Sequence, residues 1–398
     1  MVQPGRKLPW ASDANYPAGA DPWSGGARKS TLSAGEITAG VTPNAQLAAQ
    51  KFNDLIALVG DHLGALAPLA VDNWGPQITI ATGPVVEVMT YAGRLIQGSS
   101  SGRLFARGLG GGGGSTEPFH YSSTNPELDV TADWTGAASA GSDPDNYVSP
   151  MIKSDSLIVC ARIGLGQNAR YSTDLGATWN NAGVTAANVK EGHYFAAVDR
   201  FILLGDGNGD VFSLAAASIP TIGTSSWDTV TNVLTGTPVP QDIGSNANEC
   251  VAVYDDGRVI RSTNGTTWSA PVTLANFSGL IAGLAWNESQ GLWCIINSTG
   301  KTWFSPTGAV WTEGIDFLTG TLQQQSRLAT LGRYWICVSG NSVRRFDQDT
   351  IVDTGVKLRA TPSTGVSQVI THTFGRCVAY IAEGNNIGYS FSLRLAGA

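Results

Sequence analysis

The segment Asp206-Gly207-Asn208-Gly209-Asp210 comes nearest in this chain to a ligand-binding signature. Oxygen-bearing residues alternating with Gly open a calcium loop, but such a loop needs Gly at its sixth position and Glu at its twelfth. Val211 and Ala217 stand there instead, so a hairpin between two strands is expected. Asp199, Asp206, Asp255 and Glu288 are candidates for the facing carboxylate pair that glycoside hydrolysis requires. Each lies among turn residues, where a solvated carboxylate is the ordinary occupant. The run from Gly108 to Gly114 has the spacing of a phosphate cradle, yet no helical pattern follows it to aim an N-terminus at an anion. His62, His120, His193 and His372 show no ligand spacing. The five cysteines stand singly, without a C-x-x-C pair. A reactive thiolate needs a cation or base beside it. Cys160, Cys250, Cys294, Cys337 and Cys377 lie instead in apolar runs, as small buried core residues. The residues therefore predict no catalytic site, no metal and no cofactor.

The elements that would position these residues divide the chain into unlike parts. Residues 1–41 are rich in Pro, Gly, Ala, Ser and Asp and read as an extended arm. Trp10, Tyr16 and Trp23 punctuate it, so it is either a disordered tail or an arm whose aromatics dock on a partner, since disordered segments are usually poor in aromatics. Residues 42–68 read as one amphipathic helix. Thr42 caps it, Pro43 takes its first position, and Leu47, Phe52, Leu55, Ile56, Val59 and Leu63 form its apolar stripe. That stripe must be buried, on the rest of the chain or on copies of itself in a homo-oligomer.

Residues 69–398 carry short apolar runs broken by turns such as Asp255-Asp256-Gly257 and Asn264-Gly265. A tryptophan recurs through them. Trp179 lies 45 residues after Trp134, Trp227 48 after Trp179, Trp268 41 after Trp227 and Trp311 43 after Trp268. This is close to the period of a four-stranded propeller blade. Cys160 and Cys250 each precede a Ser by 12 residues and Cys294 precedes one by 11, which predicts one shared strand position for the cysteines. Extending the register gives units near 83–135, 145–180, 188–228, 241–269, 277–312, 320–355 and 366–398. The expected fold is all-β: a seven-bladed β-propeller of four-stranded antiparallel blades. Residues 77–81 are expected to supply the outer strand of the last blade and so close the ring.

Charged residues are only 14% and the net charge is −7, with no basic run. This excludes the electrostatic footprint of a nucleic-acid binder. No apolar run is long enough for a membrane span, and the first residues lack the apolar core of a signal peptide. A reducing cytosol is the expected site of synthesis.

The sequence Ser172-x-Asp174-x-Gly176-x-Thr178-Trp179 resembles the Asp-box of sialidases and related propellers. Shorter copies carry Ser262, Asn264, Gly265 and Trp268, then Ser305, Gly308 and Trp311, with Thr307 where the first has Asp. The resemblance implies a structural hairpin on the blade rim, away from any active site. It also implies the possibility of a glycoside hydrolase, but Gly164 follows Arg162-Ile163 where sialidases carry Pro. The stretch Gly40–Gln46 leading to Phe52-Asn53-Asp54-Leu55 resembles the start of bacteriophage tail and tail-fibre proteins. That resemblance implies a non-enzymatic virion component assembled in a host cytoplasm. Its arm and helix would bind other tail proteins, and its propeller would serve as a rigid interaction or host-attachment module. A glycan-binding receptor-recognition protein is the alternative, and an Asp-box hydrolase the third reading.

Overall fold

The computed structural model describes residues 151–161, 168–185, 188–206, 209–230, 233–316, 328–331, 333–339 and 342–357. It also describes the backbone of short strands between 78 and 137 and between 368 and 394. Internal contacts divide the chain into Met1–Leu69 and Ala70–Ala398, and every described residue belongs to the second unit. The expected arm over 1–41, with Trp10, Tyr16 and Trp23, and the expected helix over 42–68 lie outside the described residues.

The chain enters the described part through β1 (Ile78–Thr79) and then builds sheets in order. The first holds β2 (Ile96–Gly98), β3 (Leu104–Arg107), β4 (Phe119–Ser122) and β5 (Trp134–Ala137). The second holds β6 (Met151–Ser154), β7 (Leu157–Cys160), β8 (Asn168–Ser172) and β9 (Asn180–Val184). The third holds β10 (Val189–Phe195), β11 (Arg200–Gly205) and β12 (Val211–Ala215); after the detour of β13 (Gly223–Ser226) it is completed by β14 (Asp228–Val230). The fourth holds β15 (Pro240–Ser245), β16 (Cys250–Tyr254), β17 (Arg258–Ser262) and β18 (Val272–Thr273). The fifth holds β19 (Ile281–Asn287), β20 (Leu292–Asn297), β21 (Lys301–Ser305) and β22 (Thr312–Asp316). The sixth holds β23 (Ala329–Leu331), β24 (Tyr334–Ser339), β25 (Ser342–Phe346) and β26 (Ile351–Lys357). The last holds β27 (Gln368–Thr371), β28 (Cys377–Gly384) and β29 (Ile387–Arg394).

These sheets are antiparallel meanders set around an axis. Each first strand touches the first strand of the next sheet, from β2 through β6, β10, β15, β19, β23 and β27, and β27 touches β2. The fold is a β-propeller. Its last sheet is completed by β1, which pairs antiparallel with β29, Ile78 opposite Ser390 and Thr79 opposite Tyr389. The strand expected at 77–81 thus closes the ring.

Radial packing buries both faces of a central strand, so such strands read as unbroken apolar runs. In β16, Cys250, Ala252 and Tyr254 pack against Ile202, Leu204 and Val211 of the third sheet. Val251 and Val253 turn the other way, onto Trp293, Ile295 and Trp303 of the fifth. Trp293, Trp303 and Trp335 are fully buried between sheets, where each contributes the largest apolar area a side chain can.

The structure corrects two expectations. The four described cysteines are buried in the second strand of their sheets, but not at one position. Opposite the repeated Ser residues stand Ile158, Cys250 and Trp293. A residue shift of one turns a side chain to the other face, so Cys250 faces the preceding sheet and Cys294 the following one. The equal spacings from Cys160 and Cys250 to Ser arise from unequal hairpin loops. Second, one sheet has five strands. After β12 the chain makes a 3-10 turn at Ala216–Thr221 and adds β13 parallel to β9 of the preceding sheet.

Candidate functional site

The repeated Ser-to-Trp hairpins join the third and fourth strands of the second, fourth and fifth sheets. In the first, the Ser172 hydroxyl donates to Asp174 Oδ1 (2.8 Å) and accepts from the Gly176 amide (2.7 Å). Asp174 Oδ1 accepts from the Thr178 amide (2.8 Å), and Oδ2 accepts from the Thr178 hydroxyl (2.6 Å). The Trp179 indole N–H donates to the Gly176 carbonyl (2.9 Å). Leu175 and Gly176 take positive φ values of 60° and 84°, a conformation for which Gly carries no steric cost. The Thr178 hydroxyl and amide hold the Asp174 carboxyl below its ordinary value.

The second hairpin repeats the Ser and Asx bonding with one residue fewer. Gly265 donates its amide to Ser262 Oγ (2.8 Å), while Asn264 Oδ1 accepts from the amides of Thr266 (2.9 Å) and Thr267 (2.8 Å). The Trp268 indole nitrogen is buried without a hydrogen-bond partner. In the third, the Thr307 amide donates to the buried Ser305 hydroxyl (3.3 Å), and the Trp311 indole donates to the Gly308 carbonyl (3.0 Å). The named side chains therefore hold their own turns, each Asp or Asn replacing water around otherwise unpaired amides.

Trp227 does something else. It lies between β13 and β14, buried among Val159, Ala169, Phe201 and Phe212 of two sheets. Its indole donates to the Ala182 carbonyl of β9 (2.6 Å), and its amide to the Val184 carbonyl (3.2 Å). Trp227 thus continues the spacing of the tryptophan series without its hairpin: it pins one sheet to the next.

The candidate carboxylates are occupied structurally. Asp206 receives Asn188 and Lys190, each at 3.4 Å, beside the hairpin that joins β11 to β12. Asp199 bridges Lys153 of the second sheet (2.5 Å) and the Tyr194 hydroxyl (2.7 Å). Burial raises its carboxyl pKa, but those two partners outweigh it and hold it below the ordinary value. Asp255 accepts from the Val239 amide (2.9 Å), and Glu288 from the Trp286 indole (2.6 Å). His193 shares a 2.8 Å hydrogen bond with the Ser245 hydroxyl, linking adjacent innermost strands. Burial pushes the Cys337 thiol up to about 12, which keeps it protonated and weakly nucleophilic.

Sequence reading missed three structural carboxylates. Glu249, 5% exposed, accepts from Trp293 Nε1 of the next sheet (2.8 Å) and from Arg261 (3.3 Å). Asp242, 3% exposed, accepts from the Leu284 amide of the next innermost strand (2.9 Å). Asp347 collects the amides of Asp349 (3.1 Å) and Thr350 (2.8 Å) in a further turn of the same kind. Burial raises its pKa, but the Thr350 hydroxyl and both amides prevail and hold the carboxyl low. The available signal was position: Glu249 and Asp347 each flank a strand beside an apolar run.

Among the residues whose side chains are described, the large exposed apolar residues are Leu280, Val310 and Ile351. No group of three or more His, Cys, Asp or Glu side chains converges as a metal site among them.

No family model matches the chain, and no curated protein matches it. Solved structures do. YCF48 bound to a D1 peptide aligns with a TM-score of 0.53 at 13% identity, over 81% of this chain and 97% of that one. The Cps50 (Swd1) β-propeller domain of Myceliophteria thermophila gives 0.52 at 11%, over 79% and 99%. A chain of the mitotic checkpoint complex gives 0.57 at 11%, over 78% and 90%. At such identities the likeness establishes the propeller fold and nothing finer.

Proposed function

We propose that this protein is a non-enzymatic structural component of a bacteriophage virion, a tail or tail-fibre/adaptor protein. Its propeller is a rigid interaction module, and its N-terminal arm and helix bind neighbouring tail proteins. The observation that carries the non-enzymatic half is the use of the polar side chains. Asp174, Asp199, Asp242, Glu249 and Asp347 all bond to turns, adjacent strands or neighbouring sheets. Bonding of this kind suits a rigid scaffold. Two similar propellers were solved with a bound peptide or within a multiprotein complex, which favours protein partners. The virion assignment rests on the resemblance of Gly40–Leu55 and on the aromatics Trp10, Tyr16 and Trp23 in a polar arm, since buried aromatics dominate interface energetics.

Deleting residues 1–41 tests the reading. The truncated chain is expected to keep its β-sheet circular dichroism and melting temperature yet to be missing from purified particles. Normal incorporation of the truncated chain would overturn the anchor.

A further inference from the structure

We propose that Asn264 is a latent deamidation site which the Ser262 hydroxyl holds in check. Asn264 is exposed and is followed by Gly265, whose lack of a side chain leaves its main-chain nitrogen open to approach the Asn amide. In deamidation that nitrogen attacks Cγ of Asn264 and a five-membered succinimide closes. The amide nitrogen departs as ammonia, carrying the proton lost by Gly265. Water then opens the ring to aspartate or isoaspartate. No other reactant is needed.

The turn opposes each part of the first step. The Gly265 N–H is committed to Ser262 Oγ at 2.8 Å, and Gly265 itself is buried. Asn264 Oδ1 is held by the Thr266 and Thr267 amides, and Nδ2 donates to Thr267 Oγ1 at 3.3 Å. To reach the succinimide geometry the Asn side chain must leave both amides while Gly265 leaves Ser262. The Gly265 amide is buried, so leaving Ser262 strands its N–H, while the exposed amides of Thr266 and Thr267 can turn to water.

The first hairpin shows what the turn accepts once the reaction has occurred. There an aspartate occupies the matching place, with the Thr178 amide and hydroxyl both donating to it. An aspartate at 264 keeps the two amide bonds and reverses the third, the Thr267 hydroxyl becoming the donor to a charged acceptor. Isoaspartate lengthens the main chain by one carbon inside a turn whose Gly265 sits at φ 72°, and the bonding cannot be retained.

The test is peptide mapping by mass spectrometry of the full chain aged at mildly alkaline pH. In the parent, Asn264 is expected to convert far more slowly in the folded protein than in the denaturant-unfolded chain. Ser262→Ala is expected to bring the folded rate toward the unfolded one. Thr267→Val, an exposed position, should accelerate it less. Ser172→Ala removes the corresponding hydroxyl from the other hairpin and should leave the Asn264 rate at the parent value. N264D should melt no lower than the parent. Equal folded and unfolded rates in the parent would overturn the proposal without any variant. So would equal acceleration by S172A and S262A, since general loosening would then be the cause.

Discussion

Indole N–H groups join neighbouring sheets of this propeller in different ways, as two of the joints show. Between the second and third sheets, Trp227 donates to a main-chain carbonyl, that of Ala182, and the chain beside it forms an added parallel strand. Between the fourth and fifth, Trp293 donates to the Glu249 carboxylate, which also receives Arg261. The first joint is a strap made by a connector that leaves its own sheet and returns. The second is a side-chain staple on an otherwise regular meander. A strap fixes the backbone of both sheets and demands local room, which explains Gly183. Its φ is 87°, and a Cβ there would lie 2.8 Å from the Trp227 ring. A staple leaves backbone geometry untouched but places a charge where little water reaches it, so it depends on complete pairing.

The largest expected effect is on the strap. Trp227→Ala should cost about 3–5 kcal/mol, the range for a buried aromatic. Amide exchange should rise over 180–184 and 223–230 while the fourth and fifth sheets stay protected. Gly183→Ala attacks the same joint from the opposite side. The left-handed backbone and the displaced indole together should cost roughly 2–3 kcal/mol in chemical denaturation. For the staple, Glu249→Ala should cost about 2 kcal/mol by stranding the indole and Arg261. Its exchange pattern should be the reverse, with 249–261 and 292–304 loosened and the strap intact. If W227A and E249A loosen the same amides, the two joints are not independent and the contrast fails.

Smaller effects belong to the hairpins. Thr178→Val removes one hydroxyl donor to Asp174 and should cost about 1 kcal/mol by thermal melting. Because the folded state lowers the Asp174 pKa, its stabilisation is present above the unfolded carboxylate value and is lost as pH falls through the folded one. D174N should therefore show a shallower decline in stability than the parent on acidification through that window.

Much of this architecture could be read in advance because propeller blades repeat a turn. Expected units at 188–228 and 241–269 correspond to sheets spanning Val189–Val230 and Pro240–Thr273. The closing strand followed from counting: a last unit short of one strand and a lone apolar segment near residue 78. Trp227 misled because its spacing fits the hairpin series, whereas its place comes from a connector that crosses to another sheet, which spacing does not encode. The cysteine register misled for a similar reason. Hairpin loops of different length shift the pleat by one residue and exchange the faces. Position placed Glu249 beside an apolar run, but its role could not be read, because the carboxylate bonds a neighbour 44 positions away.

The seam between β1 and β29 has a mechanical meaning. A ring of sheets must be joined where its first and last segments meet, and here a strand of two residues bears that join. Tension applied through the preceding segment reaches those few main-chain bonds before it reaches any hydrophobic contact between sheets. Under load the propeller should part at this clasp first and unwind sheet by sheet from it.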